Sequence, residues 1–259
     1  MVVKANRLPV PGETILGGTF YMNPGGKGAN QAIAAARLGS EVTFISKIGY
    51  DLFGLQALEI YRSEKINTEF IFTDQKSPSG VALISVDSFG ENSIIVAPGA
   101  SRSLSIEDIN KAEEKIKESD IILMQLEVPI ETVEYAATIA YKYGKKVILN
   151  PAPASTLSNS FLKNVHTILP NRIEAEMLSG IKVMDIESAH RAAKAIGEKG
   201  IENVVITLGK DGAYVKEKDN IYHGSCQRSR NHRHNRGRRM SSVEHSASIF
   251  RKGIHWQNL

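Results

Sequence analysis

The runs Ile121-Ile122-Leu123-Met124-Gln125 and Lys146-Val147-Ile148-Leu149-Asn150, with the segment 130–143 between them, decide the fold of this chain. Each run is a continuous apolar stretch of strand length, and the intervening segment predicts a helix. Continuous apolar strands that alternate with helices are typical of a parallel sheet covered by helices on both faces. This unit therefore predicts an α/β fold.

The same alternation continues on both sides of this unit. Further helices are predicted at 31–38, 54–64, 105–118, 158–163, 172–179 and 186–199, and further strands at 41–48, 167–169, 204–207 and 213–215. Two short strands, 81–86 and 93–96, flank a turn-rich segment and predict a β-hairpin. Ser105 and Asp108 have the spacing of a capping box, which places a helix start at that point.

Composition separates the last part of the chain from the rest. The 259 residues contain 42% hydrophobic and 23% charged residues, as an ordinary soluble protein does. No apolar run approaches the roughly 20 residues of a membrane span, and a single Cys226 fits a reducing cytoplasm. The net charge is +4, but 224–259 alone carries +7, which leaves −3 for residues 1–223.

Polar residues follow four successive strands of the predicted sheet. In open α/β sheets, ligands bind beyond the carboxyl ends of the strands. The segments at those ends are Gln125-Leu126-Glu127, Asn150-Pro151-Ala152-Pro153, Pro170-Asn171-Arg172-Ile173-Glu174, and Thr207-Leu208-Gly209-Lys210-Asp211-Gly212. Strand ends also need turns, so each segment taken alone is equally well explained as a connection.

The stretch Gly25-Gly26-Lys27-Gly28-Ala29-Asn30 opens the helix at 31–38. Glycines allow a backbone to approach a ligand closely, and a helix start offers free N–H groups and a positive dipole end. Lys27 adds a charge, and the amide of Asn30 both donates and accepts hydrogen bonds. The pattern suits a polyhydroxyl or anionic ligand. It lacks the spacing of a Walker loop. The alternative is a purely structural turn.

Asn171 and Glu174 lie three residues apart in the first turn of a predicted helix. A carboxylate there can hold hydrated Mg²⁺ with nucleotide phosphates, but the same pair also fits a helix cap. Thr207, Gly209 and Gly212 form a strand followed by a glycine turn. That turn either wraps a nucleotide or simply leads into the next strand.

The ordered motifs resemble the ribokinase-like (PfkB) carbohydrate kinase family over residues 1 to about 223. The resemblance rests on the glycine loop, Gly49-Tyr50-Asp51-Leu52-Phe53-Gly54, Arg7-Leu8-Pro9-Val10-Pro11-Gly12-Glu13-Thr14, Met124-Gln125-Leu126-Glu127, Asn150-Pro151-Ala152-Pro153 and Ile206-Thr207-Leu208-Gly209. It implies a mostly parallel sheet with helices on both faces. It also implies a small β lid from about 1–20 and 80–97, through which family members form homodimers.

The implied activity is ATP-dependent phosphorylation of D-ribose to ribose 5-phosphate in the cytoplasm, with no membrane partner. By similarity, the residues that hold the sugar are Gly26, Lys27, Asn30 and Glu127. Those that line the ATP site are Asn171, Thr207, Gly209 and Gly212. Glu174 is expected to act through Mg²⁺ and its waters.

The resemblance predicts a fold truncated at both ends. The family begins with a strand carrying Gly-Ser-x-Asn-x-Asp, and Met1 starts after that point. The family also carries a later Asp-Thr-x-Gly-Ala-Gly-Asp motif, which supplies the catalytic base and an anion hole, and the elements of a monovalent-cation site. Since 224–259 has neither, no catalytic residue is assigned.

Plausible codons for that motif, read from each third base, give His232 to Arg239. Plausible codons for Asp-Val-Phe-Ser-Gly-Ala-Leu-Ser-Ile, read from each second base, give Met240 to Ser248, so the two matches use different offsets. The segment 224–259 is therefore hypothesised to be a disordered, out-of-frame basic tail. The alternative to an active kinase is then an inactive, frameshifted fragment with partial sugar binding. A nucleic-acid-binding tail is a third and weaker alternative.

Overall fold

The computed structural model describes residues 1–218 and 220–224. The strands are β1 (Val2–Lys4), β2 (Thr19–Tyr21), β3 (Ser46–Gly49), β4 (Ile71–Asp74), β5 (Val81–Val86), β6 (Asn92–Ala97), β7 (Ile121–Met124), β8 (Lys146–Leu149), β9 (Thr167–Ile168), β10 (Asn203–Thr207), β11 (Ala213–Glu217) and β12 (Asn220–Gly224). The helices are α1 (Lys27–Arg37), α2 (Leu52–Ser63), α3 (Ile106–Lys111), α4 (Glu113–Glu118), α5 (Ile130–Lys142), α6 (Asn159–Leu162), α7 (Arg172–Ser179) and α8 (Ile186–Gly197).

The largest sheet has six strands in the order β12-β11-β10-β9-β8-β7. Strands β7 to β10 are parallel, and β11 and β12 return antiparallel. The predicted α/β class is confirmed. The sheet changes direction after β10 because only a short turn, not a crossover helix, joins β10 to β11.

A second, two-stranded parallel sheet consists of β3 and β4. The predicted strand at 41–48 is shorter than expected, since only 46–49 pairs as a strand and Thr43 makes an isolated bridge to Asn67. Strand β4 was not predicted at all. Its four residues include the polar Thr73 and Asp74, so it has no apolar run to mark it.

The third sheet has the order β2-β1-β5-β6 and is called the lid sheet below. It contains the predicted hairpin, now β5 and β6, whose antiparallel register runs from Val81↔Ala97 to Val86↔Asn92. Strand β1 pairs parallel with β5 and antiparallel with β2. Every residue of β2 and β6 is exposed, including Ile95 at 68%.

The lid sheet is tied to the rest of the chain by Asp51, which belongs to the Gly49-to-Gly54 motif. Asp51 caps α2 by accepting from the Gly54 N–H at 2.8 Å. It also accepts from the Ser79 N–H and the Ser79 hydroxyl, both at 2.7 Å. Burial opposes ionisation of Asp51, but these hydrogen bonds hold its pKa below the ordinary value. One carboxylate therefore fixes both a helix start and the entry to β5.

The main core lies between the six-stranded sheet and its helices. Helix α5 contributes Val133, Ala136, Ala137, Ile139 and Ala140, all buried, because these apolar residues fall on one face at helical spacing. The predicted helix 105–118 starts with the expected Ser105–Asp108 capping box, but it is divided at Ala112. There the Ala112 N–H bonds to the Ile109 carbonyl at 3.0 Å, which tightens the turn. None of the helices within the described ranges is long and apolar enough to cross a membrane.

Candidate functional site

The glycine loop forms the start of α1. Gly26 precedes the helix with φ 100°, a value that side-chain-bearing residues rarely adopt, and no side chain caps the helix. The Lys27 N–H donates to Glu127 Oε2 at 2.6 Å. A carboxylate that follows β7 thus meets the positive end of a helix 100 residues earlier in the chain.

The four predicted sugar-binding residues lie along one cavity of about 1890 Å³. Lys27 and Glu127 are half-buried, whereas Gly26 and Asn30 are exposed. The Asn30 N–H bonds to the Gly26 carbonyl at 3.0 Å, as expected within the first helical turn. The structure therefore brings Gly26, Lys27 and Glu127 into direct proximity and places the Asn30 amide on the same cavity.

A pair of amide side chains lies beside this group. The Gln125 amide donates to Gln31 Oε1, and Gln31 is only 2% exposed. Within the described part of the chain, Gln31 Nε2 is buried without a hydrogen-bond partner. Sequence reasoning missed Gln31, because a glutamine inside a helix reads as a good helix former. Its position five residues after Gly26, opposite a polar strand end, was the available signal.

The predicted nucleotide residues lie at the ends of β9 and β10. Asn171 and Thr207 form an isolated parallel bridge, and the Thr207 N–H bonds to the Pro170 carbonyl at 2.9 Å. Gly209 and Gly212 follow with φ 67° and φ 89°, and the Leu208 N–H bonds to the Gly212 carbonyl at 2.8 Å. The turn between β10 and β11 is thus a closed loop of backbone beside Asn171.

Arg172 secures this turn and was not among the predicted site residues. Its guanidinium donates to Asp211 and to the Met184 carbonyl, each at 2.8 Å. The contact links the start of α7 to both neighbouring loops. The signal in the sequence was an arginine beside Asn171, but its partner Asp211 lies 39 residues away and cannot be identified from local pattern.

Asn171 and Glu174 form a capping box. The Glu174 N–H donates to Asn171 Oδ1 at 2.9 Å, and the Asn171 N–H donates to Glu174 Oε2 at 2.8 Å. Glu174 is 6% exposed, and burial raises its pKa, against the lowering effects of the Asn171 N–H and the Lys27 charge. The charge of Lys27, in the glycine loop, therefore favours the ionised form of Glu174, at the start of α7.

The residues around Glu174 fit a hydrated Mg²⁺ better than a directly ligated metal. No group of three or more His, Cys, Asp or Glu side chains that could hold a metal occurs among the described residues. The Asn171 N–H donates a hydrogen bond to Glu174 Oε2. The other oxygen, Oε1, accepts no hydrogen bond from the described part of the chain. One free carboxylate oxygen is suited to binding a water of the Mg²⁺ shell.

Residues 2–231 match the family described as pfkB family carbohydrate kinase. The chain belongs to this family of sugar kinases, as its motifs and its fold predict.

Among its relatives, the ribokinase of Haemophilus influenzae is 48% identical over 218 residues, which are 83% of this chain and 71% of the relative. The deoxyribokinase of Salmonella typhi is 38% identical over 224 residues, 86% of this chain and 73% of the relative. Among solved structures, Arabidopsis thaliana ribokinase complexed with ribose and ATP has a TM-score of 0.76 and 27% identity, covering 86% of this chain and 73% of that one.

These comparisons confirm the predicted family and fold class. The predicted division at 223 and the roles of the individual site residues stay predictions. The hypothesis of an out-of-frame, disordered tail and the nucleic-acid alternative both concern 224–259; Gly224 ends β12, and 225–259 lies outside the described residues. The comparisons give no specific support to the inactive-fragment alternative.

Proposed function

We propose that this chain has the function of a ribokinase, with D-ribose as the sugar and ATP as the phosphate donor. The hydrogen bond from the Lys27 N–H to Glu127 at 2.6 Å carries the proposal, because it fixes a carboxylate, a lysine and a helix start on one cavity. The 48% identity to a ribokinase supports this choice of substrate.

In this proposal Glu127 accepts hydrogen bonds from sugar hydroxyls, because an ionised carboxylate offers only acceptors. Lys27 Nζ and the Asn30 amide donate to sugar oxygens, and Gly26 leaves room for the ring at the helix start. Hydrogen bonds to charged groups contribute about 1.5–3 kcal/mol each. Two charged residues on one cavity therefore favour a ligand with several hydroxyl groups.

The ATP phosphates are assigned to the loop formed by Asn171, Thr207, Gly209 and Gly212. Exposed backbone at Gly209 permits close approach of a ligand, since among the described residues no atom outside Gly209 and its chain neighbours lies within 4 Å of the position that a Cβ would take. Glu174 would hold Mg²⁺ through water by its free oxygen, and the ion would neutralise phosphate charge.

Phosphoryl transfer also needs a base for the attacking hydroxyl and donors for the transferring phosphate. Within the predicted site segments 125–127, 170–174 and 207–212, the carboxylates are Glu127, Glu174 and Asp211, and each is already engaged, Glu127 and Glu174 by a backbone N–H and Asp211 by Arg172. We therefore expect the 259-residue chain to bind its substrates but to turn over slowly. Loss of a general base alone lowers rates by about 10²–10⁴.

A binding measurement and a coupled ATP-consumption assay test the proposal together. Calorimetry should detect D-ribose binding that is weaker in Glu127→Gln, with 2-deoxyribose as the comparison, because a deoxyribokinase is also a relative. Absence of binding to either sugar would overturn the proposal. Turnover at an ordinary kinase rate of about 1–100 s⁻¹ would show that residues beyond 224 supply the base.

Two further parts of the proposal concern partners and location. The lid sheet is proposed to cover the sugar and to form a homodimer contact, supported by the exposed apolar residues Leu83, Ile94, Ile95 and Val96. A cytoplasmic location is supported by the use of ATP and by the single cysteine.

A further inference from the structure

Three segments of the described chain, 22–26, 75–80 and 98–99, connect the lid sheet with the rest of the fold. The first of them leads directly into the glycine loop at the start of α1. Residues of the lid sheet line the same cavity as Lys27 and Glu127, among them Val81, Ala82, Ile84, Ile94 and Val96. The orientation of the lid sheet therefore sets the shape of one wall of the proposed sugar site.

The other two connections touch each other, and the residues at this contact, 78–80 and 98–100, are called the lid joint below. The Ala100 N–H bonds to the Pro78 carbonyl at 2.8 Å. A Cβ on Gly99, which has φ 52°, would lie 2.3 Å from the Pro78 carbonyl oxygen. The two segments thus pack backbone against backbone, and only a glycine permits this close approach.

The lid joint is fastened to the start of α2 by Asp51 and Ser79. Asp51 Oδ2 accepts from the Ser79 N–H at 2.7 Å, and Asp51 Oδ1 accepts from the Ser79 hydroxyl at 2.7 Å and from the Gly54 N–H at 2.8 Å. Ser79 Oγ in turn accepts from the Gly49 N–H at 3.0 Å, and Ser79 is 8% exposed. One carboxylate and one buried hydroxyl therefore link the lid joint with both β3 and α2.

Asp74, at the end of β4, makes a comparable but more exposed set of contacts. Its Oδ1 accepts from the Lys76 N–H at 2.8 Å and from the Ser77 N–H at 3.2 Å. Its Oδ2 accepts from the hydroxyl of the exposed Ser103 at 2.5 Å. These donors lie before the lid joint or after it. Of the two carboxylates, Asp51 is thus the one that contacts the joint itself.

We propose that Asp51 is a positioning residue for sugar binding, which acts through Ser79 to hold the lid sheet in its place over the cavity. This inference rests on the proposed function, since it concerns the sugar assigned to Lys27 and Glu127. A lid that is already in place does not have to be ordered when the sugar binds, so less of the binding free energy is lost. If only a fraction of the molecules has the lid in place, the apparent dissociation constant rises in inverse proportion to that fraction.

The test compares Asp51→Asn and Ser79→Ala with the native chain, with D-ribose as the ligand in calorimetry. Asparagine still offers an oxygen to the Gly54 N–H, but its amide nitrogen meets the Ser79 N–H as donor against donor. Both variants should raise the dissociation constant of D-ribose about tenfold, as expected when a hydrogen bond to a charged group is lost. The double variant should bind no more weakly than the weaker-binding single variant, because both changes break the same link.

Hydrogen exchange of the sugar-free variants shows where the structure has loosened. In Asp51→Asn the amides of Ser79 and Ala100 should exchange about tenfold faster than in the native chain, whereas the Gly54 amide should keep its rate. Affinity for ADP should stay at its native value in each variant, because the proposed phosphate loop at 207–212 follows a strand of the six-stranded sheet and not of the lid sheet.

Asp185→Asn is the matched control. Asp185 accepts from the Ser188 N–H at 2.8 Å and from the Ser188 hydroxyl at 2.6 Å, the same two kinds of donor that Ser79 offers to Asp51. Both Asp185 and Ser188 belong to the start of α8, so this pair joins no distant segments. The control should leave the affinity for D-ribose unchanged.

The outcomes separate this inference from the proposed function. Native affinity for D-ribose in Asp51→Asn and Ser79→Ala, additive losses in the double variant, or a parallel loss of ADP binding would each overturn the inference and leave the proposed function standing. Absence of D-ribose binding by the native chain would overturn both. If Asp51→Asn does not fold, Ser79→Ala, which keeps the acceptor for the Gly54 N–H, decides the matter by its affinity for D-ribose.

Discussion

Lys47 Nζ lies 2.8 Å from Asp108 Oδ2, so an ion pair connects β3 with the first turn of α3. The Asp108 side chain is 7% exposed and that of Lys47 is 17% exposed. Asp108 also accepts from the Ser105 N–H and hydroxyl, both at 3.0 Å. One buried carboxylate thus holds together a helix cap and the small β3–β4 sheet.

We predict that Asp108→Asn lowers the free energy of unfolding by about 3 kcal/mol, because Lys47 is left largely buried without its partner. Denaturant unfolding followed by circular dichroism measures this change. Glu118→Gln is the matched control, since it removes the Lys115–Glu118 pair, which has a similar distance of 2.9 Å but side chains that are 35% and 64% exposed. That control should cost less than about 1 kcal/mol, and equal costs for the two variants would contradict the prediction.

The ionisation of Asp108 also predicts that the stability of the chain depends on pH. Burial opposes ionisation of Asp108, but Lys47 and the Ser105 groups hold its pKa below the ordinary value. Its contribution to stability is therefore present above about pH 4, the ordinary value for aspartate, and is lost as the pH falls through the folded-state pKa. The unfolding free energy of the native chain should fall more steeply below about pH 4 than that of Asp108→Asn. Parallel curves for the two proteins would refute this.

Glu127→Gln should weaken D-ribose binding by about tenfold or more, because glutamine keeps one acceptor for the Lys27 N–H but loses the charge. Isothermal calorimetry gives the dissociation constant. Glu131→Gln is the control, since Glu131 is exposed in the first turn of α5, four residues further on. Equal affinities for the Glu127→Gln variant and the native chain would remove Glu127 from the sugar site.

Local patterns predicted the elements that depend on neighbouring residues. The unit β7-α5-β8 was recognisable from its apolar runs, and the capping boxes at Ser105 and Asn171 were recognisable because both partners lie within three residues. Contacts between distant segments gave no such signal. The hydrogen bond from Lys27 to Glu127 and the ion pair of Lys47 with Asp108 depend on residues far apart in sequence, so periodicity alone does not define them.

Arg172→Ala should weaken ADP binding about tenfold without changing the affinity for D-ribose. The reason is that the turn at 208–212 loses its contacts to Arg172, and a mobile turn must be ordered again when the nucleotide binds. Lys210→Ala is the control, because Lys210 lies in the same turn and is exposed. Hydrogen exchange should also become faster at Gly209 and Gly212 in Arg172→Ala alone. An unchanged exchange rate there would show that Arg172 does not hold the turn.

The ionisation of Glu174 predicts how the effect of Mg²⁺ on ADP affinity depends on pH. Burial raises its pKa above the ordinary value, so the carboxyl group takes up a proton at a higher pH than an exposed glutamate, whose pKa is about 4.3. Only the ionised form attracts hydrated Mg²⁺, and the enhancement of ADP affinity by Mg²⁺ should therefore disappear on acidification before exposed carboxylates titrate. Calorimetry of ADP binding with and without Mg²⁺ measures this enhancement, and the pH is varied from about 5 to about 8.

Glu174→Gln should abolish the Mg²⁺ enhancement at every pH and leave the helix start intact, because the glutamine oxygen still accepts from the Asn171 N–H. Glu176→Gln, on an exposed position of the same helix, should keep the native pH profile. The raised pKa also means that ionisation of Glu174 opposes folding, so Glu174→Gln should not lower the melting temperature near neutral pH. If Mg²⁺ enhances ADP binding equally in Glu174→Gln and in the native chain, Glu174 serves only as a helix cap.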